Sequence, residues 1–310
     1  MPLFTSRVRP RLAPELDDRA LGVVLQRLSG VQARTQHDLV VPLLEHVIHG
    51  ARQDWDRKMH RIKVLAETLG QGATRTWMRY RPDDPGALLL QGWSDLVTLQ
   101  AAPSFTDSTG IRALGRRAAE LLPEDPLPWV LLLGVLRLER RPPREVDVVW
   151  REIRARDPWN REAHLQILAY SSPQECGSTA RMMDLLDEMR AAMPAGAPTT
   201  GLEVTVLVQR YQRALAAEGL TALSSRDLLN QPAAARALAR SAALWPQKGF
   251  LTHAAALADL NTLAYALVKA ARAEEAAAVV RATKGLATRW PWHLDGDPLE
   301  RFTRAYRTST

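Results

Sequence analysis

Three short segments, each containing an aspartate followed directly by a proline, divide the central part of the chain. These segments occupy residues 81–85, 122–126 and 156–160. Apolar residues recur at helical spacing before and after each of them. Proline fits the first turn of a helix but not its interior, and polar side chains just before that turn can accept hydrogen bonds from it. The three segments, called the Asp-Pro turns below, therefore predict a succession of helices joined by short turns.

The composition predicts a folded cytoplasmic protein that does not enter a membrane. Hydrophobic residues make up 46% of the 310 positions and charged residues 24%, which is ordinary for a globular protein. The longest apolar run, residues 129–136, is far shorter than the roughly 20 residues of a membrane-spanning helix. Residues 1–7 contain no apolar segment typical of a signal peptide. The single cysteine, Cys176, excludes an internal disulfide and a cysteine-based zinc site.

The charge balance leaves nucleic acid as an alternative partner without favouring it. The 41 basic residues exceed the 34 acidic ones and give a net charge of +7, which permits weak binding to an anionic partner. The arginines are dispersed, however, and no basic stripe recurs at the spacing of a helical repeat. Dispersed charges of both signs are typical of a solvated surface.

Helical spacing extends over most of the chain and defines the expected domains. No segment keeps the strict alternation of a β-strand, so the fold class is predicted to be all-α. Residues 1–14, with three arginines and three prolines, are expected to form a flexible basic arm. Residues 15–308 are expected to form a single helical-repeat domain. The proline-rich segment 194–198 separates possible sub-blocks at 15–193 and 201–308.

Apolar periodicity and turn residues also predict the positions of individual helices. In the first sub-block they predict helices over residues 86–102, 111–122, 129–140, 145–156, 161–170 and 179–192. In the second they predict helices over residues 202–218, 232–244, 251–270, 273–288 and 298–307. The helix over 129–140 is apolar on nearly every side, so it is expected to be the most buried.

A stripe of histidines marks a helical stretch over residues 38–69, which is predicted to be amphipathic and interrupted around Gly50. Its apolar face includes Trp55, and the opposite face carries His46, His49 and His60. On a straight helix His60 lies about 16 Å beyond the other two, so one metal ion cannot reach all three. The stripe is therefore interpreted as a solvated or partner-facing surface, and no cofactor or metal is expected.

A second polar group, around the helix over 161–170, raises the question of catalysis. An imidazole, a thiol and two hydroxyls lie near one another in the sequence. They belong to His164, Cys176, Tyr170 and Ser178. No nucleophile elbow, oxyanion loop or phosphate-binding glycine loop accompanies them. Helix packing and capping are the preferred roles, and an enzyme with an unrecognised site remains the second alternative function.

Nine tryptophans against four phenylalanines suggest an aromatic binding surface. Three tryptophans lie on apolar helices and are assigned to the core, namely Trp93, Trp129 and Trp150. Others lie beside prolines or polar turns. Tryptophan is enriched at protein-binding hot spots. The residues proposed from the sequence for contact with a partner are therefore His46, His49, His60, Trp159, Trp245 and Trp292.

Residues 260–291 resemble a tetratricopeptide repeat, a helix pair of about 34 residues. Bulky and small residues stand at the motif positions of both helices, which are Leu260, Leu263, Ala264 and Leu267 in the first and Ala276, Val280 and Thr283 in the second. Ala271 departs from the motif because glycine is usual there, and so does Thr283, where alanine is usual. Residues 111–123 match half a repeat. Small residues let the helices approach closely, and bulky ones fill the adjacent grooves.

Residues 54–195 also resemble a group of actinobacterial proteins with tetratricopeptide-like helices and no known activity. The resemblance is carried by the segments at 54–57, 60–61 and 65–67, by the three Asp-Pro turns, by Pro128-Trp129, and by residues 160–164 and 177–178. It implies a tetratricopeptide-like α-α superhelix, built as a solenoid of antiparallel helix pairs. The expected function is non-enzymatic binding of a peptide or protein partner in a groove of that superhelix. The first alternative is a nucleic-acid-associated helical repeat, and the oligomeric state stays open.

Overall fold

The computed structural model describes residues 9–29, 40–69, 71–102, 107–216 and 227–309. In these residues fifteen α-helices form nearly all the regular structure, so the all-α prediction is confirmed. Ten helices precede residue 194: α1 (Arg19–Leu28), α2 (Val41–His49), α3 (Trp55–Thr68), α4 (Gln71–Tyr80), α5 (Pro85–Ala101), α6 (Thr109–Leu121), α7 (Leu127–Leu138), α8 (Pro143–Arg156), α9 (Arg161–Tyr170) and α10 (Thr179–Ala192). Five follow it: α11 (Leu202–Ala216), α12 (Pro232–Leu244), α13 (Ala256–Lys269), α14 (Ala273–Ala282) and α15 (Pro298–Ser309).

The described residues group into two compact units, each with its own hydrophobic core. The first unit is residues 18–193. The second unit consists of the described residues up to Asp17 together with those from Pro194 onward. Helices α1 to α9 supply the core of the first unit, and α11 to α15 supply most of the core of the second. The described chain therefore begins in the second unit at residue 9, passes through the first unit, and returns to the second at Pro194.

In the first unit, alternate helices contact one another. α5 contacts α3 and α7 as well as its sequence neighbours α4 and α6. α7 in turn contacts α9 as well as α6 and α8. Every residue of α7 from 127 to 136 except Trp129 is buried, which agrees with its uniformly apolar sequence.

The Asp-Pro turns start helices in the way that the sequence predicts. Asp84 accepts hydrogen bonds from two backbone N–H groups in the first turn of α5, at 2.7 and 3.2 Å. Asp125 accepts one from the first residue of α7 at 2.8 Å. In the third turn the cap is Asn160, which accepts a bond from the first turn of α9 while its own amide donates to Asp157. Each turn thus satisfies N–H groups that a helix start would otherwise leave without partners.

The stretch over residues 38–69 forms two helices within its described part, α2 and α3, with Asp54 capping the second. Met59 and Ile62 are buried, as the apolar periodicity predicts. Lys58 and Arg61 on α3 are buried as well, with only 5% and 6% of their surface exposed. The amphipathic pattern did not predict this burial of two cations.

In the second unit, α13 lies at the centre of the core. All nine residues from 259 to 267 are buried, and α13 contacts α11, α12 and α14. Every residue that carries the tetratricopeptide resemblance in α13 and α14 is buried, including Thr283 at the end of α14. Ala271, which stands where the motif has glycine, has a φ of +59°. The chain thus adopts the glycine-like conformation at this turn without the glycine.

A short strand pair is the only β-structure in the described residues. β1 (Arg11–Leu12) runs parallel to β2 (Leu286–Ala287). The N–H of Ala13 continues the pairing by donating to the carbonyl of Ala287 at 2.9 Å, and Ala13 is fully buried. Residues 11–13, which the composition predicts to lie in a flexible arm, thus belong to the second unit and pair with another of its segments. Residues 1–8 of that arm lie outside the described residues.

None of the helices in the described ranges is both long and apolar enough to cross a bilayer. The longest of them, α5, has 17 residues.

Candidate functional site

The three histidines of the predicted stripe lie on two helices and do not converge. His46 and His49 are exposed on α2, and His60 is half-buried on α3. His49 Nε2 lies 3.1 Å from Asp84 Oδ1, and its ring lies 6.0 Å from that of Trp77. Within the described residues, no group of three or more potential ligand side chains could hold a metal ion. His49 is therefore part of the structure that surrounds the start of α5.

The His49–Asp84 contact shifts the pKa values of both groups. The hydrogen bond to Asp84 raises the pKa of His49, against the opposing effect of burial. Burial acts to raise the pKa of Asp84, but the bonds from His49 and from the α5 backbone lower it, and the net change is downward. Both shifts favour the charged pair.

Two further cations of α3 bond to acids at the starts of later helices. Lys58 Nζ lies 2.5 Å from Asp125 Oδ2 before α7, and both side chains are almost fully buried. Lys63 Nζ lies 2.6 Å from Glu162 Oε2 in the first turn of α9. Together with the His49–Asp84 contact, these pairs connect α2 to the start of α5, and α3 to the starts of α7 and α9. The sequence pattern does not predict these pairs, although acids at three helix starts and basic residues on α2 and α3 are visible in the sequence.

Arg61, three residues after Lys58 on α3, bonds to groups near the N-terminus of the first unit. Its guanidinium donates to both oxygens of Asp18 at 2.6 and 3.0 Å and to the carbonyl of Val47 at 2.6 Å. Asp18 also caps α1. Burial acts to raise the pKa of Asp18, but the bonds from Arg61 and the backbone lower it overall. All these charges are paired within the first unit, so this surface offers little free charge to a partner.

The polar group around α9 serves packing and capping. The His164 ring packs edge-on against Trp150 at 5.0 Å and is stacked with Trp159 at 6.0 Å. Its Nδ1 lies 2.9 Å from the carbonyl oxygen of Asn160, and burial lowers the pKa of the imidazole. Trp159, one of the predicted partner-binding residues, is half-buried here. The described contacts place the His164 ring among indoles and not beside a nucleophile.

The other members of that group bond to the backbone. The Tyr170 hydroxyl donates to the carbonyl of Arg141 at 2.7 Å, and burial raises the pKa of this phenol. Ser178 accepts a hydrogen bond from the backbone N–H of Arg181 and so caps α10. Cys176 is half-buried, and its backbone N–H donates to the carbonyl of Tyr170.

A groove of about 340 Å³ opens between α8, α9 and α10, next to the rings of His164 and Trp159. Trp150, Ile167 and Leu185 form its apolar surface. Three acids surround this surface, Asp147 on α8 and, one turn apart on α10, Asp184 and Glu188. Arg181 and Ser171 complete the lining of this space, called the α8–α10 groove below. Because Trp150 also contacts His164, the groove is continuous with the stacked rings of His164 and Trp159.

The acids of the α8–α10 groove are exposed and lack cationic partners. Among the residues that the structure describes, none of the three takes part in an ion pair. The neighbouring Asp187, by contrast, bonds to Arg190 at 2.8 Å. The apolar periodicity of the sequence predicts that Trp150 lies in the core and does not single out these acids. The i, i+4 spacing of Asp184 and Glu188 beside Leu185 was the available signal.

The two remaining predicted residues, Trp245 and Trp292, are buried in the second unit, with 4% and 2% of their surface exposed. Trp245 belongs to the hydrophobic core. Trp292 donates from Nε1 to Asn261 Oδ1 at 2.9 Å and packs edge-on against Tyr265 and Phe302. It also lines a cavity of about 510 Å³ beside α13 and α15, called the α13–α15 cavity below.

Comparisons of the chain with protein-family models, with curated proteins and with solved structures find no match.

Proposed function

We propose that this chain is a non-enzymatic, tetratricopeptide-like helical-repeat module that binds a basic peptide segment of a protein partner in the α8–α10 groove. The observation that carries the proposal is the set of three unpaired acids around an apolar surface that includes Trp150. An apolar surface supplies binding energy, and acids without partners select cationic side chains. A cytoplasmic location and the likeness to the actinobacterial family belong to the same proposal.

The helix contacts of the first unit support the repeat architecture. In stacked helix pairs, the first helix of each pair contacts the first helix of the next pair. The contacts of α5 with α3 and α7, and of α7 with α9, follow that order. On this reading α8 and α10 are the second helices of successive pairs, and the groove lies between them over the edge of α9.

The same charges argue against nucleic acid in this groove. Three acids without cationic partners repel a phosphate backbone, which instead requires clustered lysine or arginine. The cations of α3, which lie at the starts of α7 and α9, are already bonded to protein carboxylates. The protein partner is therefore the better-supported of the two alternatives.

A displayed library of random peptides, selected on the full chain, tests the proposal. We expect enriched sequences to combine lysine or arginine with an aromatic or aliphatic anchor. Reversal of both acids in Asp184→Lys/Glu188→Lys is expected to weaken the selected peptides about tenfold, because attraction becomes repulsion. Both positions are exposed, so the fold should tolerate the change.

Asp187→Lys is the matched control, since Asp187 is exposed on the same helix but does not line the groove. We expect it to change the dissociation constants of the same peptides less than twofold, within the range of an isolated surface charge. An absence of any enriched peptide would contradict the binding function. Equal loss in the control and the groove variant would contradict the assignment of the site.

A further inference from the structure

The α13–α15 cavity combines an aromatic wall with an excess of positive charge. Its aromatic wall is formed by Tyr265 and Trp292, and Val268 and Ala305 add aliphatic surface. Lys269 Nζ lies over the Tyr265 ring at 5.4 Å and forms an ion pair of 2.7 Å with Asp295. A cavity of about 510 Å³ with a mainly apolar lining and a few polar groups has the size and character of a small-molecule site.

The Lys269–Asp295 pair is internally balanced, and Arg304 of α15 is paired with Glu300, so the charge available to a ligand comes mainly from Arg301 of the same helix. Arg304, also in the lining, is an exposed side chain that lies 3.5 Å from Glu300. Arg301 is half-buried, and within the described residues it forms no ion pair. Its Nε atom is buried and has no hydrogen-bond partner among those residues. A buried guanidinium N–H without an acceptor is costly, and a charged acceptor would relieve the cost.

The backbone around Arg301 supports this placement of the guanidinium. Gly296 has a φ of +127°, and a Cβ built there would lie 3.5 Å from Arg301 Nε and from one of its terminal nitrogens. These distances are ordinary van der Waals contacts, so the backbone at Gly296 packs against the guanidinium, and it is the positive φ that favours glycine here. The Tyr265 hydroxyl accepts a hydrogen bond from Gln212, and burial raises the pKa of this phenol, so it remains neutral beside the cavity.

We propose that the α13–α15 cavity is a binding site for a small molecule that carries a carboxylate or a phosphate on an apolar body. The oxyanion would accept from the guanidinium of Arg301, which lines the cavity, and Arg304 would add charge at the rim. The apolar body would lie against Val268, Ala305 and the aromatic wall. This inference is independent of the α8–α10 groove, because it rests on different residues in the other unit.

Calorimetric titration of the full chain with three probes of similar shape tests the site. Benzoate and phenyl phosphate carry the oxyanion, whereas benzamide is neutral. We expect at least one anion to bind about tenfold or more tightly than benzamide, as a charge-assisted hydrogen bond provides. The preferred anion identifies the natural ligand as a carboxylate or a phosphate. Failure of both anions to bind the folded chain at about 10 mM, which is weaker than ordinary small-molecule affinity, overturns the proposal.

Two variants assign the binding to this cavity. Arg301→Gln should weaken the preferred anion about tenfold or more, with benzamide unaffected. Arg307→Gln is the matched control, because Arg307 is exposed on the same helix and does not line the cavity. If Arg301→Gln does not fold, Thr308→Trp, which fills the rim without removing a charge, should weaken the same anion. Anion binding that is unchanged in the folded cavity variants overturns the assignment.

Discussion

At the scale of single residues, several helix ends adopt a conformation that ordinarily selects glycine. Ala271, Arg140, Arg52 and Lys284 all have φ between +50° and +59° just after a helix. At the end of α13, Ala271 N–H donates to the carbonyl of Val268 and the next N–H to a carbonyl five residues back, as in a Schellman motif. A Cβ in this left-handed region costs about 1 kcal/mol relative to glycine.

Ala271→Gly is therefore expected to raise the free energy of unfolding by roughly 0.5–1 kcal/mol, because it removes the steric cost of a Cβ at positive φ. The matched control is Ala278→Gly on the exposed side of α14. There the same substitution should lower the free energy of unfolding by about 1 kcal/mol, since glycine is unfavourable inside a helix. Urea denaturation followed by circular dichroism measures both. A loss of equal size in the two variants would contradict the left-handed conformation of Ala271.

At the scale of secondary-structure elements, α2 and α3 connect helix starts that are far apart in the sequence. Lys58 on α3 bonds to Asp125 before α7 through a pair that is nearly inaccessible to water. Asp125 at the same time accepts from the first N–H of α7. One carboxylate thus caps one helix and positions another, and loss of its partner would leave a buried charge without compensation.

Lys58→Met is expected to lower the free energy of unfolding by about 3 kcal/mol, the effect of leaving a buried carboxylate unpaired. In the double variant Lys58→Met/Asp125→Asn the neutral amide can still accept from the α7 backbone. The double variant should therefore lose less stability than the two single variants lose in sum, by at least about 1 kcal/mol. Urea denaturation of the four proteins gives this coupling energy. Additive losses would show that the two side chains do not interact.

The His49–Asp84 contact at the start of α5 makes a smaller, pH-dependent contribution. The raised pKa of His49 gives stability that is complete below its reference value of 6.5 and is lost as the pH rises through the folded value. The lowered pKa of Asp84 gives stability that is complete above its reference value of 3.8 and is lost as the pH falls through the folded value. The pair is therefore most stabilising between these two reference values.

We expect His49→Gln to lower the free energy of unfolding by about 0.5 kcal/mol near pH 5.5 and by less at pH 8, because half of the His49 side chain is exposed to screening solvent. The measurement is a series of urea denaturations across this pH range. In an Asp84→Asn background the effect of His49→Gln should be much smaller at pH 5.5. A loss that grows toward pH 8 would contradict the assigned pairing.

The elements show which parts of this fold can be predicted from the sequence. The predicted starts of α9 and α10 match the structure because Asn160 and Ser178, which cap these helices, act on residues only three positions away. The burial of Lys58 could not be predicted from helical periodicity, since its partner lies 67 positions along the chain. The α8–α10 groove depends likewise on how three helices pack, so Trp150 was assigned to the core without reference to the open space beside it.

At the scale of the whole molecule, the second unit is built from two separate parts of the chain, and the first unit lies between them in the sequence. β1 belongs to the second unit although the first unit follows it directly in the sequence. Ala13 is fully buried in the second unit and bonds to the backbone of Ala287. The stability of the second unit should therefore depend on residues that precede the first.

Removal of residues 1–13 is expected to destabilise the second unit selectively, because it deletes the β1–β2 hydrogen bonds and exposes the site of Ala13. Hydrogen exchange followed by mass spectrometry should show faster exchange in peptides from α13 to α15 and little change in peptides from α5 to α9. A chain that lacks only residues 1–8 serves as the control, since it retains β1. Equal acceleration in both units would contradict the separation of the two cores.

The pairing of β1 with β2 also sets an order of events during synthesis on the ribosome. Leu286 is added about 275 residues after Arg11, so at typical elongation rates β1 waits roughly 15–55 s for its partner. All the residues of the first unit are translated within that interval. Nascent β1 must therefore stay unpaired, or be held by a chaperone, while the fourteen described helices α1 to α14 are translated behind it. Slow translation near codon 286 would prolong its exposure.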